Sequence, residues 1–220
     1  MSLRLLVDSA DPENWERCVR RGWVFGATTN PNILRRDGWT VEETSYKALV
    51  ENAQRIGLRE LHIQATGSTA EDLTETGLAI AGLWDRLKVK VPLTAEGMAA
   101  AKNLTDARVP ITLTAAYAAH QMIPAVTLKA AYIAPYYGRL LEADRDGDTI
   151  LEGMRSIGET FGANTRLLVA CIRSVAQLEH LLALGYDTFT LPPSVADALA
   201  TDPMSDAAAT DFENATKAPG

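Results

Sequence analysis

The stretch Leu87-Lys88-Val89-Lys90-Val91-Pro92 decides how the chain is read. A strand turns successive side chains to opposite faces, so Lys88 and Lys90 share one face while Leu87, Val89 and Val91 share the other. The run lies between two segments of helical periodicity, Thr69 to Trp84 and Thr94 to Leu104. The same alternation continues in both directions. Strand-like runs are Leu3 to Ser9, Val24 to Thr29, Glu60 to Ala65, Leu87 to Val91, Pro110 to Ala115, Ala130 to Pro135, Arg166 to Ile172 and Thr188 to Leu191. Further helical segments are Val41 to Arg55, Asp148 to Phe161 and Val175 to Leu184, several opened by Ser or Thr caps, with Gly185 as a C′ glycine. Strict strand and helix alternation means parallel strands joined by crossover helices. Eight strands with eight helices fit a (β/α)8 TIM barrel, and an open doubly wound sheet, which more often has roughly five to seven strands, is the competitor. The expected organisation is a single barrel domain over 1–220, with 203–220 as an extra C-terminal helix and tail.

Composition narrows the function classes. The 220 residues are 47% apolar and 22% charged, which excludes a disordered chain, a collagen-like repeat and a coiled coil. Lys and Arg number 21 against 28 Asp and Glu, a net charge of −7, and no basic pair extends into a run. No nucleic-acid partner is expected, because phosphate neutralisation needs clustered cations. No window carries the ~18 apolar residues of a membrane span, and Met1 to Asp8 lacks the features of a leader peptide, so no membrane partner is expected. Cys18 and Cys171 lie far apart and outside any CxxC spacing, which implies free thiols and a cytoplasmic setting. Three scattered histidines call for no metal site, and nothing in the sequence calls for a cofactor.

In barrels of this kind the chemistry sits at the C-terminal ends of the strands. Polar residues are plentiful there: Asp8, Thr28, Thr29, Asn30, Gln64, Thr66, Lys90, Thr114, Tyr117, Tyr136, Arg139, Cys171 and Arg173. Any one of them can be only a helix cap or turn former. Lys90 stands out, because an ammonium inside an apolar barrel is costly unless used. If its face points inward, desolvation lowers its pKa and the neutral amine becomes a nucleophile toward a carbonyl carbon. The competing reading is a lysine pair on a solvated edge or at the rim. Asp144-Arg145-Asp146-Gly147-Asp148 lacks calcium-loop spacing and reads as a loop capping the next helix. His62, His120 and His180 read as structural. Trp15, Trp23, Trp39 and Trp84 are scattered and suit core or subunit packing.

Phe25-Gly26-Ala27-Thr28-Thr29-Asn30-Pro31-Asn32-Ile33-Leu34 resembles the N-terminal signature of the transaldolase family, and Val89-Lys90-Val91-Pro92-Leu93-Thr94-Ala95-Glu96-Gly97 resembles its Schiff-base segment. Asp8, Gln64, Thr114-Ala115-Ala116-Tyr117, Ala134-Pro135-Tyr136 with Arg139, and Thr190-Leu191-Pro192 follow in the family's order. The resemblance spans essentially the whole chain. Its length is similar to the small branch that holds fructose-6-phosphate aldolase and the short transaldolases.

The resemblance implies that Lys90 is the nucleophile and that Gln64, Thr114 and Tyr136 hold a water that moves protons. It implies that Asp8, Thr28 and Asn30 orient a three-carbon unit and that Arg139 binds a terminal phosphate. Cys171 stands where a phosphate-binding serine is typical, and Arg173 is expected to compensate at the same rim. Lys88 stands where an aliphatic residue is usual, either lowering the pKa of Lys90 or reaching solvent at the barrel bottom. Gln64 with Tyr136 looks like the aldolase arrangement, whereas glutamate with phenylalanine looks like the transferase one. The expected activity is cleavage of fructose 6-phosphate, with transaldolase as the alternative and a non-catalytic sugar-phosphate-binding barrel as the reading from another class. Expected partners are small sugar phosphates or hydroxyketones. An apolar final helix and exposed tryptophans point to a homo-oligomer, and small family members form rings, sometimes stacked.

Overall fold

A computed structural model describes residues 2–217. Its strands are β1 (Arg4–Asp8), β2 (Val24–Thr28), β3 (Leu61–Gln64), β4 (Leu87–Pro92), β5 (Ile111–Ala116), β6 (Tyr132–Pro135), β7 (Arg166–Leu167) and β8 (Thr188–Leu191). After β1 comes α1 (Pro12–Arg20), and after β2 come α2 (Pro31–Arg36) and α3 (Glu43–Ile56). Helices α4 (Ala70–Ala81) and α5 (Ala95–Asp106) follow β3 and β4. A 3-10 turn at Ala119–Gln121 and α6 (Met122–Thr127) follow β5, and α7 (Tyr137–Glu142) and α8 (Gly147–Thr160) follow β6. The chain ends with α9 (Val175–Ala183) before β8, then α10 (Pro193–Ala198) and α11 (Pro203–Lys217).

All strand pairs are parallel, in the order β7-β6-β5-β4-β3-β2-β1-β8. A bridge between Val169 and Phe189 closes the ring, with Val169 N–H donating to the Thr188 carbonyl and Thr190 N–H to the Val169 carbonyl. The fold is the expected (β/α)8 barrel, and the closed ring excludes the open doubly wound sheet. Two layers of apolar packing hold it. Leu61, Ile63, Val89, Val91, Leu113 and Leu191 point outward into one large core beneath the helices. Leu6, Tyr132, Ala134 and Leu168 form a small cluster inside the ring. The opposite facing of Val89 and Lys90 expected from the period of two is therefore present.

The remainder of the interior is polar. Glu60 accepts from Tyr132 Oη at 2.7 Å, lies 3.0 Å from His62 Nε2 and has Lys88 Nζ at 4.0 Å. His62 Nδ1 lies 2.9 Å from Thr112 Oγ1, and Arg4 donates to Tyr132 Oη at 2.5 Å. Burial alone would raise the Glu60 pKa, but the bonds from His62 and Tyr132 and the nearby Lys88 hold it below the usual carboxylate value. The same burial pushes His62 down, so the imidazole is neutral; with Nε2–H donated to Glu60, its Nδ1 accepts the hydrogen bond of the Thr112 hydroxyl. Lys88 thus belongs to a buried ion group instead of reaching free solvent.

Several expectations need correction. The run Arg166 to Ile172 forms a ladder only over Arg166–Leu167, with isolated bridges at Val169 and Ala170, and pairing ends where Cys171 adopts φ +61°. Eleven α-helices, rather than eight, lie among the described residues, because β2 and β6 are each followed by a short helix ahead of the long one and the C-terminal region forms a pair. The tryptophans are not exposed: Trp15 is fully buried and donates to the Ser9 carbonyl, and Trp23, Trp39 and Trp84 are half-buried against the core. The final helix does carry bare apolar groups, with Met204 82% and Phe212 72% exposed. Residues 218–220 of the expected tail lie outside the described residues. The Asp144 to Asp148 loop caps as read, Asp146 accepting from Thr149 N–H at the start of α8.

Candidate functional site

A cavity of about 420 Å³ opens at the C-terminal ends of the strands. All ten singled-out residues line it: Asp8, Thr28, Asn30, Gln64, Lys90, Thr114, Tyr136, Arg139, Cys171 and Arg173. Register brings them together, pairing Asp8 with Thr28, Gln64 with Lys90 and Pro92 with Thr114 on neighbouring strands. Thr29, Thr66 and Tyr117, also noted at strand ends, do not line it.

Lys90 is 4% exposed, at the floor of the cavity. Its Nζ donates to the Thr29 carbonyl at 2.7 Å. Desolvation holds its pKa below that of a free lysine, opposed by the charge of Asp8. Lys88, two residues below, is occupied by Glu60. On one wall Thr28 Oγ1 donates to Asp8 Oδ1 at 2.6 Å and lies 2.6 Å from Thr190 Oγ1. With the Thr28 proton committed to Asp8, Thr190 is the donor in the second bond. Asn30 caps α2 through Oδ1, accepting from the N–H groups of Asn32 and Ile33, which leaves its amide NH2 as the free donor.

Across the cavity Tyr136 Oη lies 3.0 Å from Thr114 Oγ1, and burial pushes the phenol pKa up, so it stays protonated. Half-buried Gln64 completes that side. Arg139 lies over the Tyr136 ring, 5.3 Å from its centre, and donates to Tyr117 Oη at 3.3 Å. Its guanidinium has no carboxylate partner among the described residues, so its fork remains open to an anion. Arg173, expected to serve beside it, lines the cavity and pairs with Glu142 at 3.0 Å, with both side chains about half exposed. The Cys171 thiol is pushed up chiefly by burial and is uncharged.

Ala115 and Cys171 both adopt φ +61°, a left-handed backbone that is strained for residues with a Cβ. At Ala115 the β5 and β6 register slips by one residue, so Thr114 and Ala115 both face the cavity. Sequence reasoning singled out neither Arg36 nor Thr190 as a site residue. Arg36 lines the cavity, bound to Asp37 and within 3.4 Å of the Asp8 carbonyl. Its position in a short helix carried no strand signal, whereas Thr190 was legible as the inward residue two places after Thr188. No three His, Cys, Asp or Glu side chains come together as a metal-holding group among the described residues. No described helix is long and apolar enough to cross a membrane.

A closed (β/α)8 ring with a polar, lysine-floored cavity at its C-terminal face defines a barrel of the enzyme type. The profile described as transaldolase/fructose-6-phosphate aldolase matches residues 5–219, and the chain belongs to that family. A relative from Roseobacter denitrificans named "Probable transaldolase" is 29% identical over 204 residues, covering 93% of this chain and 92% of the relative. One from Myxococcus xanthus with the same name is 31% identical, covering 93% and 90%. Another so named, from Bartonella tribocorum, is 28% identical over 220 residues, covering 99% and 98%.

Proposed function

We propose that the protein is a class I aldolase that reversibly cleaves fructose 6-phosphate to dihydroxyacetone and glyceraldehyde 3-phosphate. The observation that carries this reading is the Tyr136 phenol bonded to Thr114 beside Gln64, over a buried Lys90. Neutral Lys90 attacks the ketone carbon, a C–N bond forms, and the ketone oxygen leaves as water, taking one proton from the nitrogen and one from solvent, so that the nitrogen keeps a single proton in the iminium. The resulting iminium accepts the electron pair of the breaking bond between the third and fourth carbons while the hydroxyl on the fourth carbon gives its proton to the water held at Gln64, Thr114 and Tyr136, and the aldehyde departs. Asp8, with Thr28 behind it, and the Asn30 amide hold the donor hydroxyls, and Arg139 takes the terminal phosphate. Gln64, Thr114 and Tyr136 hold the water that protonates the enamine, and its protonation is what separates a lyase from a transferase.

The second reading is a transaldolase that passes the three-carbon unit to another aldehyde, and the names of the relatives favour it. Supplying fructose 6-phosphate with and without erythrose 4-phosphate separates them. Release of dihydroxyacetone without acceptor supports the aldolase, and turnover only with acceptor overturns it. Borohydride with dihydroxyacetone should leave a reduced adduct on Lys90. An unmodified protein would instead mean a sugar-phosphate-binding barrel without this chemistry. We also take the assembly to be a ring-type homo-oligomer in the cytoplasm, supported by the bare Phe212 and Met204 on α11 and by two free thiols.

A further inference from the structure

The Lys90 amine rests on a backbone carbonyl, and the residue that supplies it is anchored twice. Thr29 is fully buried just past β2. Its N–H donates to the His62 carbonyl at 2.8 Å, and its Oγ1 donates to the same oxygen at 3.1 Å. An ordinary residue in a parallel ladder gives that neighbour only its N–H. The acceptor is itself immobilised, because the His62 ring is held at one nitrogen by Glu60 and at the other by Thr112. A rigid path therefore runs from the lower ion group through β3 to the peptide that touches Nζ.

We propose that Thr29 is a positioning residue for Lys90, its carbonyl holding one N–H of the reacting nitrogen through every stage of the Schiff-base cycle. The inference rests on the assignment of Lys90 made above. A neutral amine has two N–H groups and one lone pair, so tying one N–H to a fixed oxygen confines the lone pair to a narrow set of directions. When the C–N bond forms and water departs, the nitrogen keeps one proton, and the enamine keeps it as well. The same carbonyl can accept it throughout. The iminium is planar, so fixing its N–H fixes rotation about the Cε–Nζ bond and selects the face turned to Thr114 and Tyr136. A carboxylate at this place would stabilise the ammonium and block attack, whereas a neutral carbonyl orients the nitrogen with a smaller effect of that kind.

Thr29→Val keeps the shape and the backbone bond but sets a methyl against the His62 carbonyl, and Thr29→Ser restores the hydroxyl. With fructose 6-phosphate the valine variant should lose about tenfold in kcat with KM within about twofold, the pattern of a misplaced reacting group. Borohydride trapping of dihydroxyacetone on Lys90 should slow by the same factor, and the serine variant should recover to within about threefold. Wild-type kcat and trapping rate in Thr29→Val overturn the proposal, as does a serine variant as slow as valine, which would assign the effect to packing. Absence of any adduct on the wild-type protein overturns the Lys90 assignment and this inference together. An adduct on wild type with Thr29→Val unaffected overturns this inference alone. If circular dichroism shows that Thr29→Val does not fold, Thr29→Ala is read against the same outcomes.

Discussion

Lys88 and Lys90 sit two residues apart on one face of one strand, yet they live in different surroundings. Lys88 faces the ionised Glu60 at 4.0 Å and keeps a side-chain exposure of 17%. Lys90 is 4% exposed and has a carbonyl as its hydrogen-bond partner. Desolvation pushes both amines below the usual lysine value, opposed by Glu60 at Lys88 and by the charge of Asp8 at Lys90, but only Lys88 has a carboxylate as its side-chain partner. The lower half of the barrel has matched its charges, and the upper half has left one unmatched where a ligand can reach it.

The sharpest way to break that contrast is Lys90→Met, which should cut turnover by roughly 10⁴ or more, the scale of removing a covalent nucleophile. Its melting temperature should be unchanged or higher, since an uncompensated buried amine is replaced by an apolar chain. A Lys90 variant that keeps turnover would erase the distinction between the two lysines. Next in size, Glu60→Gln should cost about 3 kcal/mol in urea unfolding, because Lys88, His62 and Tyr132 lose the carboxylate they share. The Glu60 pKa is lower folded than unfolded, so its contribution is present above the unfolded carboxylate value and fades as pH falls through the folded one. The gap between wild type and Glu60→Gln should therefore close in acid, and a constant gap would point to packing.

Arg139→Ala should raise KM for phosphorylated sugars about tenfold or somewhat more, the range of a charge-assisted hydrogen bond. Dihydroxyacetone trapping should not change, and equal losses for unphosphorylated substrates would contradict the role. The smallest effect belongs to Cys171→Ser, which should lower KM for the same sugars about threefold by giving the phosphate a better donor. No change would mean that the thiol faces the cavity without meeting the anion.

The barrel was legible because apolar runs with a period of two alternate with capped helical segments along the whole chain. The meeting of all ten site residues was legible for the same reason, as strand ends in a closed ring converge whatever their spacing in sequence. Other features were hidden because they depend on contacts across the ring. Lys88 had no account until Glu60, 28 residues away at the entry to β3, was seen to meet it, itself held by Tyr132 from β6. Arg173 read as an added charge at the phosphate rim, and its pairing with Glu142 was hidden because that residue sits on α7, which the sequence did not announce. Thr29 looked like one more strand-end threonine, and only its two bonds to His62 distinguish it.

The left-handed residues Ala115 and Cys171 carry a consequence for anyone reshaping this barrel. A screen that rewards melting temperature alone would favour glycine at both, since glycine adopts φ +61° without the penalty of order 1 kcal/mol that a Cβ brings. The same change would free the backbone to leave that conformation and let the slipped β5 register wander. Thr114 and Cys171 would then be aimed less sharply into the cavity. Heat tolerance and aim are set against each other at these two turns, so they are the places where a more robust variant should be slower.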